Sequence, residues 1–224
     1  MRLPPRAVPW LLLAPALVLT ASLALALVVM GDASLRVMDR ATFRPSEAWS
    51  LANYAVLWER TVYLRIILRT VLAAVVVTAI TLALAFPYAY LLVRTPHAGL
   101  RKLLLISLFL PFFLGQVIRA YGWLIVLGQN GLVNASLDVL GLPGLQLLYT
   151  LPGVMLGLVQ YMLPFAVLLL APAITAIPTD VEQASVSLGA KPLSTCRHVV
   201  LPLARPGLIA ASVVVFTLTV TDFA

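Results

Sequence analysis

Residues 139–179 read VLGLPGLQLLYTLPGVMLGLVQYMLPFAVLLLAPAITAIPT, and no Lys, Arg, Asp or Glu interrupts them. A helix rises about 1.5 Å per residue, so roughly 20 apolar residues cross a hydrocarbon core of about 30 Å. This stretch exceeds that length and excludes an ordinary water-soluble core. Composition points the same way: 62% of the 224 residues are hydrophobic, 10% are charged, and the mean hydropathy is +1.05. The chain is therefore read as an integral membrane protein.

Working outward, apolar runs of spanning length occur at about Pro9–Met30, Ile66–Val93, Leu103–Leu127 and Leu151–Ile177, and a fifth begins at Gly207 and continues to Ala224. Lipid offers no hydrogen-bond partners to a backbone, and the ten-residue alternation of a barrel is missing, so each run is read as a helix. The expected class is all-α: a polytopic transmembrane helical bundle with five spans, the fifth incomplete, forming one domain over residues 1–224. The first run follows Arg2 and Arg6 and contains Ala24-Leu25-Ala26, which raises a cleaved signal peptide. Its apolar length favours a retained anchor.

A net charge of +7 would suggest nucleic acid in a soluble protein, but these basic residues lie in short segments between apolar runs. Membrane orientation accounts for them, and no nucleic-acid partner is expected. With the amino terminus cytoplasmic, Arg2, Arg6, Arg94, Arg101, Lys102, Lys191, Arg197 and Arg205 lie inside, against Arg36, Arg40, Arg44, Arg60 and Arg65 outside. The loop Gly128–Thr150 has no basic residue and reads as an outer loop. The outer segment from Gly31 to Arg65 mixes Asp32, Asp39, Glu47 and Glu59 with Trp49, Tyr54 and Trp58, a composition suited to anchoring at the lipid interface.

The next stretch, Pro178–Gly207, PTDVEQASVSLGAKPLSTCRHVVLPLARPG, is a polar island with internal order. Thr179 is placed to cap a helix and Glu182, three residues on, to reach back to its amide, the capping-box arrangement. Val181, Ala184 and Leu188 fall at i, i+3 and i+7 on one face, and Gly189 suits the helix stop. A second piece restarts at Pro192, presents Leu193, Cys196 and Val199 or Val200, and is expected to stop at Pro202.

These residues resemble the EAA loop of type I permease subunits of binding-protein-dependent ABC importers. Gly189, in Leu188-Gly189-Ala190, is followed after nine intervening residues by Val199, then by Leu201-Pro202, and then by Pro206-Gly207. Counting back from Gly189, Gln183, Ala184 and Ser185 occupy the triplet, with the glutamate, Glu182, one residue early. The resemblance implies an ATPase-coupling role for Glu182, Gln183, Ala184, Ser185, Leu188, Gly189, Ala190, Leu201 and Pro202. It also implies ABC ATPase subunits, a second permease subunit, identical or related, an extracytoplasmic solute-binding protein and a sixth helix. On that last ground the chain reads as a fragment of a longer product. The outer segment from Gly31 is then also a candidate docking surface for the binding protein. LPFFLGQVIRAYGWLIVLGQNGLVN, from Leu110, and FTLTVTDFA, from Phe216, resemble spermidine/putrescine-type permeases, which implies a polyamine substrate.

Within the spans, Arg119 and Asp222 are ionisable and hence candidates for function. Counted along straight helices, each lies roughly 24 Å across the core, near the outer interface. They are expected to form an outer-half ion pair or to line the solute path, with snorkelling as the simpler role for Arg119. Insertion scales put an unpaired charge at mid-membrane at about 2.5 to 3.5 kcal/mol. Gln160 and Tyr161, one turn before Pro164, are candidates for solute contact or interhelical hydrogen bonds, and Pro111 and Pro164 are expected to kink their helices.

Enzyme signatures are absent. No Gly-x-x-x-x-Gly-Lys-Ser/Thr loop surrounds Lys102 or Lys191, so the chain is not the ATPase. His97 and His198 are isolated and Cys196 is the single cysteine, so neither a metal site nor a cofactor is expected. A scaffold protein without an ATPase partner, a non-transporting permease fragment and a membrane-embedded enzyme remain the alternatives.

Overall fold

The computed structural model describes residues 8–38 and 45–223. Arg2, Arg6, Asp39, Arg40, Arg44 and Ala224 lie outside the described residues, as does the side chain of Glu47. The chain divides into two compact units, Met1–Leu68 and Arg69–Ala224.

The first unit carries α1 (Val8–Ser34), a two-stranded antiparallel ribbon of β1 (Arg36–Met38) and β2 (Pro45–Trp49), and α2 (Ala52–Glu59). The ribbon is a small exception to the all-helical expectation. It is held where Arg36 meets Asp32 at 2.8 Å and the Trp49 indole N–H donates to the same carboxylate at 3.2 Å. Asn53 donates to the carbonyls of Ser34 and Arg36, 2.9 Å each, tying the start of α2 to β1.

The long α3 (Thr61–Arg94) begins in the first unit and delivers its carboxyl half to the second. At 34 residues it is roughly 50 Å long, which exceeds a hydrocarbon core of about 30 Å. The second unit continues with α4 (Ala98–Phe113), α5 (Gln116–Leu127), α6 (Leu132–Val139), α7 (Leu151–Thr175), α8 (Thr179–Ser187), α9 (Pro192–Thr195), a π-helical turn (Cys196–Val200), α10 (Leu201–Leu203) and α11 (Arg205–Phe223).

Among the described residues four helices are long and apolar enough to cross a membrane, and α4 with α5–α6 makes a fifth candidate bent by 106°. The kink expected at Pro111 is thus a full break in the third span, and only the depth counted along a straight helix is corrected. Pro111, with no N–H, leaves the Ser107 carbonyl without its helical partner, and α4 ends two residues later. The chain then turns at Leu114 and Gly115, both extended, with ψ of 119° and 151°. Pro164, by contrast, is accommodated inside a continuous α7. The expected outer loop contains α6, whose buried Asn134 accepts from the Leu145 amide at 2.8 Å and donates to the carbonyls of Gly128 and Leu145, each at 3.1 Å.

The core of this unit runs along α7. Val159, Met162, Ala166, Leu170 and Ile174, spaced three or four apart, are buried on one face. Ala85 and Ala89 of α3 and Ala211 and Val215 of α11 join the same cluster. Between lipid-borne helices there is little apolar driving force to gain from water, so close van der Waals contact must hold them. Gly207 permits it: a Cβ there would overlap the Cβ of Ala173. Gly207→Val should therefore push α11 off α7 and cost about 1–3 kcal/mol. Thermal unfolding of the detergent-solubilised chain should show a lowered midpoint, which Gly99→Ala, where nothing stands within 4 Å, should not reproduce.

Candidate functional site

The polar island folds as two helical limbs about a glycine. α8 starts after Pro178, whose backbone is extended and serves as the cap, and no side chain bonds to the free amides. The expected capping box does not form. Asp180 and Glu182 still place negative charge in the first turn, where the helix dipole favours it. Glu182 is drawn elsewhere by a stronger partner: its Oε1 accepts from Arg94 Nε at 2.8 Å and lies 2.6 Å from Arg94 Nη2, while its Oε2 accepts from the Tyr90 hydroxyl at 2.9 Å. Arg94 Nη2 also donates to the carbonyls of Ile177 at 2.7 Å and Ile174 at 3.2 Å. A charged, mostly dry guanidinium attracts the carboxylate more strongly than a neutral amide exposed to water does.

The other end of α8 matches the sequence reading. Gly189 has φ +87°, the left-handed region that glycine enters without steric cost. Its N–H bonds the Val186 carbonyl at 2.9 Å and the Ala190 N–H bonds Ser185 at 3.2 Å, the paired closure of a Schellman motif. The second limb departs from expectation. It restarts at Pro192, but Pro202 does not end it: helical geometry runs on to Leu203. The π turn explains this, since Leu201 N–H bonds back five residues to Cys196 and the widened backbone gives the proline ring room.

Ser185 and Thr195 join the limbs through their hydroxyls at 3.0 Å, and Val200 is fully buried in the bundle core. Gln183, Ala184 and Leu188 face outward, with Leu188 90% and Leu193 81% exposed. Ala190, Leu201 and Pro202 are half-buried. Cys196 is half-buried beside Glu182; burial first, and then that negative charge, push its thiol above the usual range.

A second cluster lies along α5, α7 and the end of α11. Arg119, Trp123, Gly157, Tyr161 and Asp222 line a cavity of about 320 Å³, together with Ala120, Val154 and Leu158. Two residues far apart in sequence, Arg119 and Asp222, thus line one cavity. Their expected ion pair is not formed: the ion pairs within 4.0 Å among the described residues are Arg36–Asp32 and Arg94–Glu182. The turn between α4 and α5 also invalidates a depth counted along a straight helix. Arg119 instead stacks its guanidinium over Tyr161, 4.5 Å from the ring centre. Tyr161 packs edge-on against Phe165 at 5.6 Å, which stiffens the ring. Gln160 does not line this cavity; its Oε1 is buried without a hydrogen-bond partner among the described residues, as are the Oγ1 atoms of Thr78 and Thr81. No group of three or more metal-ligating side chains is found among the described residues.

Sequence reading missed Arg94 and Tyr90 as site residues. The available signal was a basic residue ending an apolar helical run, one turn after a tyrosine, and nothing in it named Glu182 as the partner.

The family follows from these features taken with likeness to known proteins. The model of the family described as binding-protein-dependent transport system inner membrane component matches residues 75–224, and the chain belongs to that family. It is a multi-pass inner-membrane protein. Among relatives, the inner membrane ABC transporter permease protein YdcU of Escherichia coli is 36% identical over 83% of this chain and 63% of its own length. The spermidine/putrescine transport system permease protein PotB of the same organism is 33% identical over 84% of this chain and 68% of its own length. The molybdenum transport system permease protein ModB of Azotobacter vinelandii is 33% identical over 65% of this chain and 63% of its own. The chain thus spans about two thirds of the length of these relatives. The crystal structure of a bacterial ABC transporter involved in import of the acidic polysaccharide alginate shares the fold, with a TM-score of 0.60 at 17% identity over 92% of this chain and 74% of that one.

The stacked cation should contribute about 0.5–2 kcal/mol. Tyr161→Leu is expected to lower the unfolding midpoint in detergent, while Tyr161→Phe, which keeps the ring face, should leave it nearly unchanged.

Proposed function

We propose that this chain is the membrane-spanning permease subunit of an ATP-driven importer, coupled through residues 178–206 to a separate ATPase. One observation carries the reading. A polar loop between two spans holds a short helix closed at Gly189, tied to the bundle by Glu182, and presents Leu188 and Leu193 almost fully exposed. Large apolar side chains on an otherwise polar projection suit a protein partner. The amino terminus is assigned to the cytoplasmic side. That orientation gathers Arg94, Arg101, Lys102, Lys191, Arg197 and Arg205 inside with the loop, following the bias of basic residues toward the cytoplasm.

In this role residues 1–224 act as one permease domain, and Gln183, Ala184, Leu188, Gly189 and Ala190 meet the ATPase. Ser185, Leu201 and Pro202 keep the two limbs in register. Hydrolysis belongs to the partner, since this sequence carries no phosphate-binding loop motif. A second permease subunit, identical or related, completes the path, a solute-binding protein delivers the solute from outside, and lipid surrounds the bundle.

The cavity of Arg119, Tyr161 and Asp222 is the favoured stretch of the solute path, with Gln160 supplying an unfilled acceptor nearby. A carboxylate that shares a cavity with the rings of Tyr161 and Trp123 suits ammonium groups, which favours a polyamine. PotB, named for spermidine and putrescine, supports that choice. Arg119 then occupies the ring face that a substrate ammonium would take, as a tethered competitor.

Tagged chain purified from its native membrane should bring down an ATPase. Leu188→Asp should weaken that recovery about 10–100-fold, and Gly189→Val, which forces a branched side chain into positive φ, should do the same. Undiminished recovery in both variants counts against this docking surface. Uptake of radiolabelled spermidine into vesicles holding the whole assembly should saturate; uptake that does not saturate rules the polyamine out and leaves the importer standing.

A further inference from the structure

α8 is weakly attached by ordinary means. Its nine residues are too few for a helix to hold itself in water, no side chain caps its first turn, and none of its residues is fully buried. The chain flanking it is breakable at both ends, with Pro178 before and Gly189 after. Ser185 ties it to the second limb through Thr195, and what ties it to the spanning helices is the carboxylate of Glu182, both oxygens of which are held by side chains from the last turn or so of α3. The same Arg94 guanidinium bonds two carbonyls at the carboxyl end of α7. One planar cation therefore joins three elements, and its side chain and that of Glu182 are only 18% and 14% exposed. Lysine could not replace it, because an ammonium is a point charge without the fork that spans a carboxylate and two carbonyls.

We propose that Arg94, assisted by Tyr90, is a positioning residue that makes α8 a rigid extension of α3 and α7, so that a push on the loop moves both helices and is not absorbed at Pro178 or Gly189. The proposal rests on the importer reading for the origin of the push. The lock itself is a property of this chain alone. Removing the guanidinium leaves a mostly dry carboxylate uncompensated, so Glu182 turns toward water and α8 loosens.

The single cysteine is a built-in reporter, since Cys196 is half-buried in the adjoining limb and close enough to Glu182 to feel its charge. In native membranes holding the full chain, Arg94→Gln should speed maleimide labelling of Cys196 about tenfold. Loosening relieves the burial of the thiol and moves the Glu182 charge away, the two causes that hold it high, so access and reactivity of Cys196 rise together when the lock opens. Arg94→Lys should fall between parent and Arg94→Gln, and Lys102→Ala, an exposed cation, should match the parent.

In vesicles carrying the whole assembly, Arg94→Gln should lower solute moved per ATP hydrolysed about tenfold while ATPase recovery stays at the parental level. Should Arg94→Gln fail to reach the membrane, Glu182→Asp, which keeps the charge and shortens its reach, is expected to give the same two changes. Unchanged labelling, unchanged coupling, or loss of ATPase recovery in step with coupling each overturns the proposal. If even the parent chain recovers no ATPase, the importer reading fails and transmission fails with it. That result is distinguishable because it precedes any substitution.

Discussion

A lipid interior gives a peptide group nothing to bond to, and every other feature of this chain answers to that constraint. Spans must be helices, and helices must end outside the hydrocarbon or against something that satisfies their last carbonyls. Arg94 serves the second need for α7 while ending α3, by donating to Ile174 and Ile177. A charge that a lipid-facing position would exclude is accommodated there because its partners are polar groups of the same bundle. Its remaining hydrogen-bonding capacity goes to Glu182.

Tight contact substitutes for the hydrophobic effect inside the bundle. Gly207 against Ala173 and the alanines at 85, 89, 166 and 211 let backbones approach until ordinary dispersion suffices. Larger polar groups then sit where small residues leave room or where a helix turns. The break at Leu114 and Gly115 redirects α5 and brings Arg119 over Tyr161, so that the cavity shared with Asp222 arises from a bend and not from a straight span. Thr78, Thr81 and Gln160 retain buried oxygens without partners among the described residues, at an ordinary cost of about 1–3 kcal/mol each.

Much of this was legible in the residues. Runs at Pro9–Met30, Ile66–Val93 and Leu151–Ile177 lie within or overlap helices of spanning length, because length and apolarity are properties of the segment itself. Gly189 as the stop of α8 was legible for the same local reason: only glycine takes φ +87° without cost, and its closing bonds involve residues within four positions. Pro202 misled, since a proline forbids an α-helical bond but not a π turn that has already widened the backbone. Thr179 and Glu182 misled as well, because a capping box is a local preference and a distant guanidinium outbid it.

By itself the sequence determined a helical membrane bundle, the two limbs of the polar loop and the residues that mark its family, all set by hydrogen-bond supply and backbone geometry within a few positions. Tertiary structure alone decided that Glu182 meets Arg94 across 88 residues, that Arg119 stacks on Tyr161, and that Asp222 joins them at one cavity. Those contacts depend on where separate helices come together, and pairing between distant charges leaves no periodicity or spacing in the chain by which it could be read.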